Sequence, residues 1–201
     1  DIWGLAALNL GVLSQKCGDY DRARELFGEA LGLIAAVKHS EYQLGALYNM
    51  AHVERELGMW ESAAELYDAT APLAQRIGQS DIEIGAAAGA GLCLLELGRL
   101  NAARGALADV QARMQMRPDW FQGREIVEAL AIRIDAVDRK FEQAMTRLEH
   151  AVALAESADL YNAAWLTVAC AEALFEFDEE RVRACIDRYR DRVKQLGYPE
   201  M

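Results

Sequence analysis

The sequence is poor in proline and has no paired cysteines, and each shortage excludes a class of protein. Only three prolines occur in 201 residues, which together with abundant Ala, Leu, Glu, Arg and Gln favours helix throughout and makes an all-α chain the default. No two of the four cysteines have the Cys-x-x-Cys spacing of a zinc or redox motif. Each lies in an apolar helical pattern, which predicts reduced, buried thiols and no structural zinc. These cysteines are Cys17, Cys93, Cys170 and Cys185.

The sequence also lacks a long apolar run and an excess of positive charge. No run approaches the ~20 residues that a membrane-spanning helix needs, and no charged-then-apolar leader opens the chain. The net charge of −11 repels nucleic-acid phosphates and anionic lipid head groups. We therefore expect a cytoplasmic protein that contacts neither nucleic acid nor membrane directly. Because no initiator Met is present, we also expect a segment of a longer protein.

What the sequence does contain is one short pattern that occurs four times. A glycine is followed by an aromatic or leucine two positions later and by alanine five positions later. The pattern begins at Gly18, Gly58 and Gly98, and at Arg139 without the glycine, so its intervals are 40, 40 and 41 residues. Apolar residues recur at helical spacing on both sides of each joint. A period of this length predicts stacked helical hairpins that bury their apolar faces against one another.

The joints divide the chain into about five hairpins, or about ten antiparallel helices, in one all-α repeat domain. We predict repeats over about 1–39, 40–79, 80–118, 119–157 and 158–197, the last ending in a capping helix that starts at Asp178. Pro72 falls inside a helix and predicts a bend there. A glycine-rich stretch in the third repeat predicts close helix packing, because interior glycine is otherwise unfavourable. Its glycines are Gly85, Gly89 and Gly91.

With the repeats aligned on their joints, the chain resembles the tetratricopeptide repeat (TPR) family. That family has a small residue in helix A, a glycine-aromatic joint, and an alanine, an aromatic and a second small residue in helix B. The helix A residues here are Gly11, Ala51 and Gly91, with Ile132 departing. The joint aromatics are Tyr20, Trp60 and Phe141, with Leu100 substituting. The helix B alanines are Ala23, Ala63, Ala103 and Ala144. The aromatic slot after them holds Phe27 and Tyr67, with Leu107 and Leu148 substituting.

The resemblance implies a right-handed α-solenoid whose A helices line a concave groove that binds protein or peptide. The spacing of 40, against the family's usual ~34, implies longer helices. Long variants occur in bacterial signalling regulators, in peptide-sensing proteins and in eukaryotic adaptors. The family's clamp for chaperone carboxylates needs basic residues in the third repeat, where this chain has Gly85 and Gly89. We read that function as absent, and the small residues as a recess for a large apolar side chain.

Asn9 and Asn49 occupy equivalent slots on the helix face that the family turns inward. An asparagine amide donates to and accepts from a peptide backbone, so the two suit a peptide ligand; the alternative is a pair of solvated asparagines. Other candidates on the same face mix polar and apolar character, and an ordinary solvated surface explains them equally well. These candidates are Lys16, Tyr48, His52, Arg55, Glu56, Leu92, Glu96 and Arg133.

Three hypotheses of function follow, in decreasing order of preference. The first is a non-catalytic binding scaffold, the sensor or interaction segment of a larger bacterial regulator, with no cofactor. The second is a module that dimerises through the apolar start at Ile2, Trp3 and Leu5. The third is a metal-dependent enzyme using His52 and Glu56, which lie one helical turn apart but lack a third ligand.

Overall fold

The computed structural model describes residues 2–35, 40–116, 123–158 and 160–195. Over these stretches the chain forms ten α-helices and no strand, so the all-α prediction is confirmed. The helices are α1 (Ile2–Lys16), α2 (Tyr20–Ala35), α3 (Ser40–Glu56), α4 (Trp60–Ile77), α5 (Ser80–Glu96), α6 (Leu100–Gln115), α7 (Arg124–Val137), α8 (Phe141–Ala158), α9 (Leu160–Phe175) and α10 (Glu179–Gln195). None of these described helices is long and apolar enough to cross a membrane.

Each predicted joint ends its helix with one left-handed residue. At Gly58, φ is 74°; its N–H donates to the carbonyl of Arg55 at 3.0 Å, and the N–H of Met59 donates to that of Glu54 at 2.9 Å. This pair of bonds satisfies carbonyls that the end of a helix leaves without partners. Gly18 and Gly98 repeat the arrangement, with φ of 78° and 70°. The backbone conformation of the joints therefore favours glycine, which adopts a positive φ without a Cβ clash.

The chain divides into two compact units, Asp1–Gly123 and Arg124–Met201. In the first unit each helix from α1 to α6 packs against the next, and α3 also contacts α1 and α5. In the second unit α7 packs against α8 and α9, and α10 packs against α8 and α9. The division into five repeats stays a prediction. The predicted boundaries at 39 and 118 lie outside the described residues, and the one between 157 and 158 falls at the end of α8.

The core of the first unit is a series of small clusters shared between successive hairpins. One cluster joins Phe27 and Ile34 of α2 to Ala46 and Val53 of α3. The next joins Ala63 and Tyr67 of α4 to residues of α5. Such sharing is what a stacked array requires, since no single hairpin hides its own apolar face.

The slots that carry the TPR resemblance are the tightly packed ones. The four helix B alanines, together with Phe27 and Tyr67, are 0% exposed. At Gly11 an added Cβ would lie 2.5 Å from the ring of Phe27, so only glycine fits there. The small residues thus allow the close helix approach that the resemblance implied.

Several local predictions have clear outcomes. The buried-thiol prediction is correct for Cys93, Cys170 and Cys185 but wrong for Cys17, which is exposed because it lies in the turn after α1. Helix α4 continues through Pro72, whose ring faces solvent. Asp178 caps α10 as predicted, its Oδ1 accepting from the N–H of Arg181 at 3.0 Å. The sequence also predicts that Arg117, Pro118 and Asp119 end one helix and cap the next, and that Gly197 and Pro199 end the last helix. These five residues lie outside the described part of the chain.

Candidate functional site

Three aromatic rings meet on the face that α3 turns towards α4. The hydroxyl of Tyr67 and Nδ1 of His52 share a hydrogen bond of 3.1 Å. The ring centroid of Tyr48 lies 4.4 Å from that of His52, and the planes cross at 81°. Tyr67 meets His52 edge-on as well, at 5.6 Å and 90°. Edge-to-face contacts of this kind favour one arrangement of the rings, so these side chains form a pre-ordered group, the α3–α4 aromatic cluster.

The electrostatics of the cluster keep its polar groups uncharged. Burial, reinforced by the positive charge of Arg55, lowers the pKa of His52 well below its ordinary 6.5. Burial also raises the pKa of Tyr67 well above 10. Both side chains are therefore neutral at pH 7, and their hydrogen bond joins α3 to α4 without placing a charge in the core.

Arg55 and Glu56 form an ion pair beside this cluster. The Nε and Nη2 of Arg55 donate to Oε1 of Glu56 at 3.2 and 2.6 Å. Arg55 is 6% exposed and Glu56 is partly exposed. A charge this deeply buried is tolerated only with a partner, so Arg55 orders the carboxylate of Glu56 from beneath the surface.

The glycines of α5 make room for the two tyrosines of the cluster. A Cβ added at Gly85 would overlap the Tyr48 hydroxyl, and one added at Gly89 would overlap Cζ of Tyr67 at 2.4 Å. The interpretation of these two glycines as packing residues is therefore confirmed. The predicted recess does hold large side chains, but they are the chain's own tyrosines.

The remaining sequence candidates differ in exposure. Asn9, Lys16 and Glu96 lie at or near the surface, and Asn49 is partly exposed. Leu92 is only 3% exposed, so it does not line the ligand surface that the sequence predicts. Arg133 is partly exposed on α7, in the second unit. Five of the predicted residues lie on α3 in the first unit: Tyr48, Asn49, His52, Arg55 and Glu56.

Sequence reasoning placed Tyr67 in a packing slot and missed its bond to His52. One signal was present, because the equivalent slots in the first repeat hold Val12 and Phe27. Phe27 belongs to a cluster of buried hydrophobic residues and Val12 packs against it, whereas the second repeat has hydrogen-bonding residues at both slots. When two buried slots both change from apolar to hydrogen-bonding residues between repeats, the two new residues are expected to bond each other.

The residues of the third hypothesis, His52 and Glu56, are engaged elsewhere. His52 bonds Tyr67 and Glu56 bonds Arg55. Among the described residues no group of three His, Cys, Asp or Glu side chains is placed to hold a metal ion.

No protein-family model matches this sequence, and no curated protein matches it either. Solved structures are similar over nearly the whole chain. A putative kinesin light chain from Podosopora anserina, with nearly identical TPR-like repeats, has a TM-score of 0.56 at 17% identity, over 94% of this chain and 95% of that one. A thermophilic TPR protein of Thermus thermophilus has a TM-score of 0.54 at 21% identity, over 94% and 97%.

A third similar structure is that of a Rap protein complexed with Competence and Sporulation Factor. The TM-score is 0.63 at 14% identity, over 95% of this chain and 58% of the Rap chain. At these identities the likeness concerns the fold. Together with the four joints and the buried small-residue slots, it shows a TPR-like array of helical hairpins.

Proposed function

We propose that this TPR-like helical repeat is a non-catalytic scaffold that binds a protein or peptide segment on the side of its first unit that carries Asn49. The observation that supports the proposal is the setting of that residue. Asn49 is partly exposed on α3, and His52, one turn later, is held by Tyr48 and Tyr67. An amide beside an ordered polar surface binds a peptide backbone with little loss of side-chain freedom.

The surrounding candidates give the ligand a mixed chemistry. Lys16 on α1 and Glu56 and Glu96 on the next two A helices occupy one slot of the repeat, with opposite charges. Such a row suits a segment that carries both basic and acidic side chains and suits a polyanion poorly. With the net charge of −11, it supports a protein partner over nucleic acid or a membrane surface.

We further infer that the chain is the sensor or interaction segment of a larger bacterial regulatory protein in the cytoplasm. Two observations support this inference. The 40-residue period is the long variant associated with such regulators, and the fold is similar to that of the Rap protein, of whose length this chain spans 58%. Arg133, in the second unit, stays a separate candidate for ligand contact.

A pull-down with the tagged chain tests the proposed surface. We expect Asn49→Ala to weaken binding of the recovered partner roughly 5- to 100-fold, the value of one or two hydrogen bonds left unmade. The matched control is Asn101→Ala, since Asn101 is exposed at the start of α6 and outside the proposed surface. Equal partner affinity for Asn49→Ala, Asn101→Ala and the unaltered chain would contradict the proposal.

Self-assembly through α1 is the second candidate function. Ile2 and Trp3 are 84% and 75% exposed, which favours some covering partner, whereas Leu5 packs against the core of the first unit. Light scattering over a concentration series tests it directly. A mass that stays at one chain up to high concentration would remove this candidate.

A further inference from the structure

The outer face of α1 is apolar although it lies in water. Four large hydrophobic side chains on it are more than half exposed: Ile2, Trp3, Leu10 and Leu13, at 84%, 75%, 53% and 60%. The opposite face of the same helix packs into the first core cluster. A helix that is apolar on both faces is normally buried on both, and a contiguous exposed patch of this kind marks an interaction site.

The 40-residue period gives each exposed position a counterpart in α3 and α5. The counterparts of Leu13 are Val53 and Cys93, and both are 0% exposed. Ala6, on the same face and partly buried in α1, has Ala46 and Ala86 as counterparts, and both are 0% exposed. The face that is open in α1 is therefore covered at these positions in the next two A helices.

The covering element is the same in both cases, a second helix of the preceding hairpin. Ala46 and Val53 share a cluster with Phe27, Ala30 and Ile34 of α2. Ala86 and Cys93 share one with Ala63 and Tyr67 of α4. Small residues and one large ring on a B helix thus form the partner surface at both interfaces.

We propose that the exposed face of α1 is a stacking surface for one further helical hairpin of this repeat pattern, joined ahead of α1 at the 40-residue spacing. The surface continues an interface that the first unit already uses twice. It is also nearly free of charge, because α1 contains no acidic residue and Lys16 alone is basic. In the first unit α3 and α5 are each covered by the B helix that precedes them in the same chain, which favours a preceding hairpin over a second copy. The inference does not rest on the proposed ligand surface.

An extended chain tests the proposal. A copy of residues 41–80 is fused directly before Asp1, which reproduces the natural junction of Ser80 with Asp81. Leu13→Glu is then made in the original and in the extended chain. In the original chain, where the side chain at position 13 is in water, we expect Leu13→Glu to raise the equilibrium constant of unfolding less than ~3-fold. In the extended chain we expect roughly 30-fold or more, since an unpaired charge is buried against the added hairpin.

The matched control is Val168→Glu on α9. Val168 is 71% exposed, so its substitution should have the same small effect in both chains. Circular dichroism measures whether the added copy is helical, and light scattering of the original chain runs in parallel. Equal effects of Leu13→Glu in the two chains, or an added copy without helix, would overturn the proposal. An original chain that dimerises until Leu13→Glu is introduced would also overturn it and assign the face to a second copy.

Discussion

Glycine has two separate physical roles in this chain, one in the backbone and one in packing. At the joints it adopts a positive φ that closes a helix, as at Gly98 with 70°. In α5 it leaves space for a neighbouring ring, as at Gly89. Gly105 in α6 has neither role, because it is exposed and an added Cβ would meet nothing within 4 Å. The three positions should therefore respond differently to the same substitution.

Gly89→Ala should destabilise the protein by about 1–3 kcal/mol. Its Cβ would lie 2.4 Å from the ring of Tyr67, and forcing extra volume into a packed core costs more than the better helix propensity of alanine returns. Gly105→Ala is the matched control and should stabilise by about 0.5–1 kcal/mol. Urea unfolding of both variants measures the difference. A Gly89→Ala midpoint at or above that of the unaltered chain would contradict this reading of α5.

Arg139 shows the reverse case, a joint that requires a positive φ and lacks glycine. Its φ is 59°, its N–H donates to the carbonyl of Ala136 at 2.9 Å, and the N–H of Lys140 donates to that of Asp135 at 2.8 Å. The bonds match those at the glycine joints. The backbone at this joint therefore has the same conformation as at the glycine joints, and Arg139, which has a Cβ, is strained by it.

Arg139→Gly should stabilise the second unit by about 0.5–1 kcal/mol, because the strain of the left-handed conformation is relieved. Gly98→Ala is the opposite substitution at an equivalent joint and should destabilise by a similar amount. Thermal or urea unfolding of the two variants gives the comparison. Should Arg139→Gly lower the midpoint, the side chain of Arg139 would be contributing more than its backbone costs.

At the scale of helix pairs, α3 and α4 are joined by a buried polar contact where α1 and α2 use apolar ones. The His52 ring that bonds Tyr67 stays neutral in the folded chain, since burial and the charge of Arg55 both disfavour its protonation. In the unfolded chain the same ring titrates near 6.5. The two states therefore bind different numbers of protons over an interval of pH that begins near 6.5 and extends below it.

The free energy of unfolding should fall as the pH is lowered from 7.5 to 5.5. The unfolded chain binds up to one more proton than the folded chain in this range, so the slope from His52 reaches at most ~1.4 kcal/mol per pH unit. His52→Gln removes the titrating ring and should flatten this dependence. His150→Gln, at an exposed position on α8, should leave it intact. Urea unfolding at the two pH values measures both, and equal slopes in His52→Gln and the unaltered chain would disprove the assignment.

The helices were predictable from sequence because their ends are encoded locally. The pattern between Gly58 and Gly78 predicts the second helix of repeat two over 61–77, and the structure has it as Trp60–Ile77. These limits follow from the two glycines alone. The cap at Asp178 is equally local. The side chains that meet between helices were harder, because those contacts join residues tens of positions apart. The residues next to Gly85 in the sequence do not indicate that Tyr48 is the side chain that occupies the space above this glycine.

The candidate site was predictable only in part, for the same physical reason. The A-helix register placed Asn49, His52 and Glu56 on one face of α3. Whether a residue on that face reaches water depends on which side chains of the neighbouring helices pack over it. Arg55 and Leu92 are consequently buried although their slots belong to the predicted ligand face. Cys17 is exposed for a similar reason, because α1 ends one residue before it.

At the scale of the whole molecule, the buried hydrophobic side chains lie between adjacent helices and do not form one central core. In the second unit Leu130 and Ile132 of α7 are 0% exposed, as are Leu148 of α8 and Leu166 of α9. The helices α7 to α10 pack against one another within the second unit. The hydrophobic side chains of α1 to α4 pack in separate clusters within the first unit. In an array of this kind stability is close to a sum over adjacent elements, so damage should stay near its origin.

Leu130→Ala should therefore lower amide protection in α7, α8 and α9 and leave α1 to α4 unchanged. Removing this buried side chain costs about 2–5 kcal/mol of local stability, which corresponds to roughly a 30-fold or greater acceleration of exchange at the affected amides. Val168→Ala, at an exposed position of α9, controls for the substitution itself. Native-state hydrogen exchange read by mass spectrometry resolves the helices individually. A uniform loss of protection from α1 to α9 would show one cooperative domain and would contradict nearest-neighbour stability.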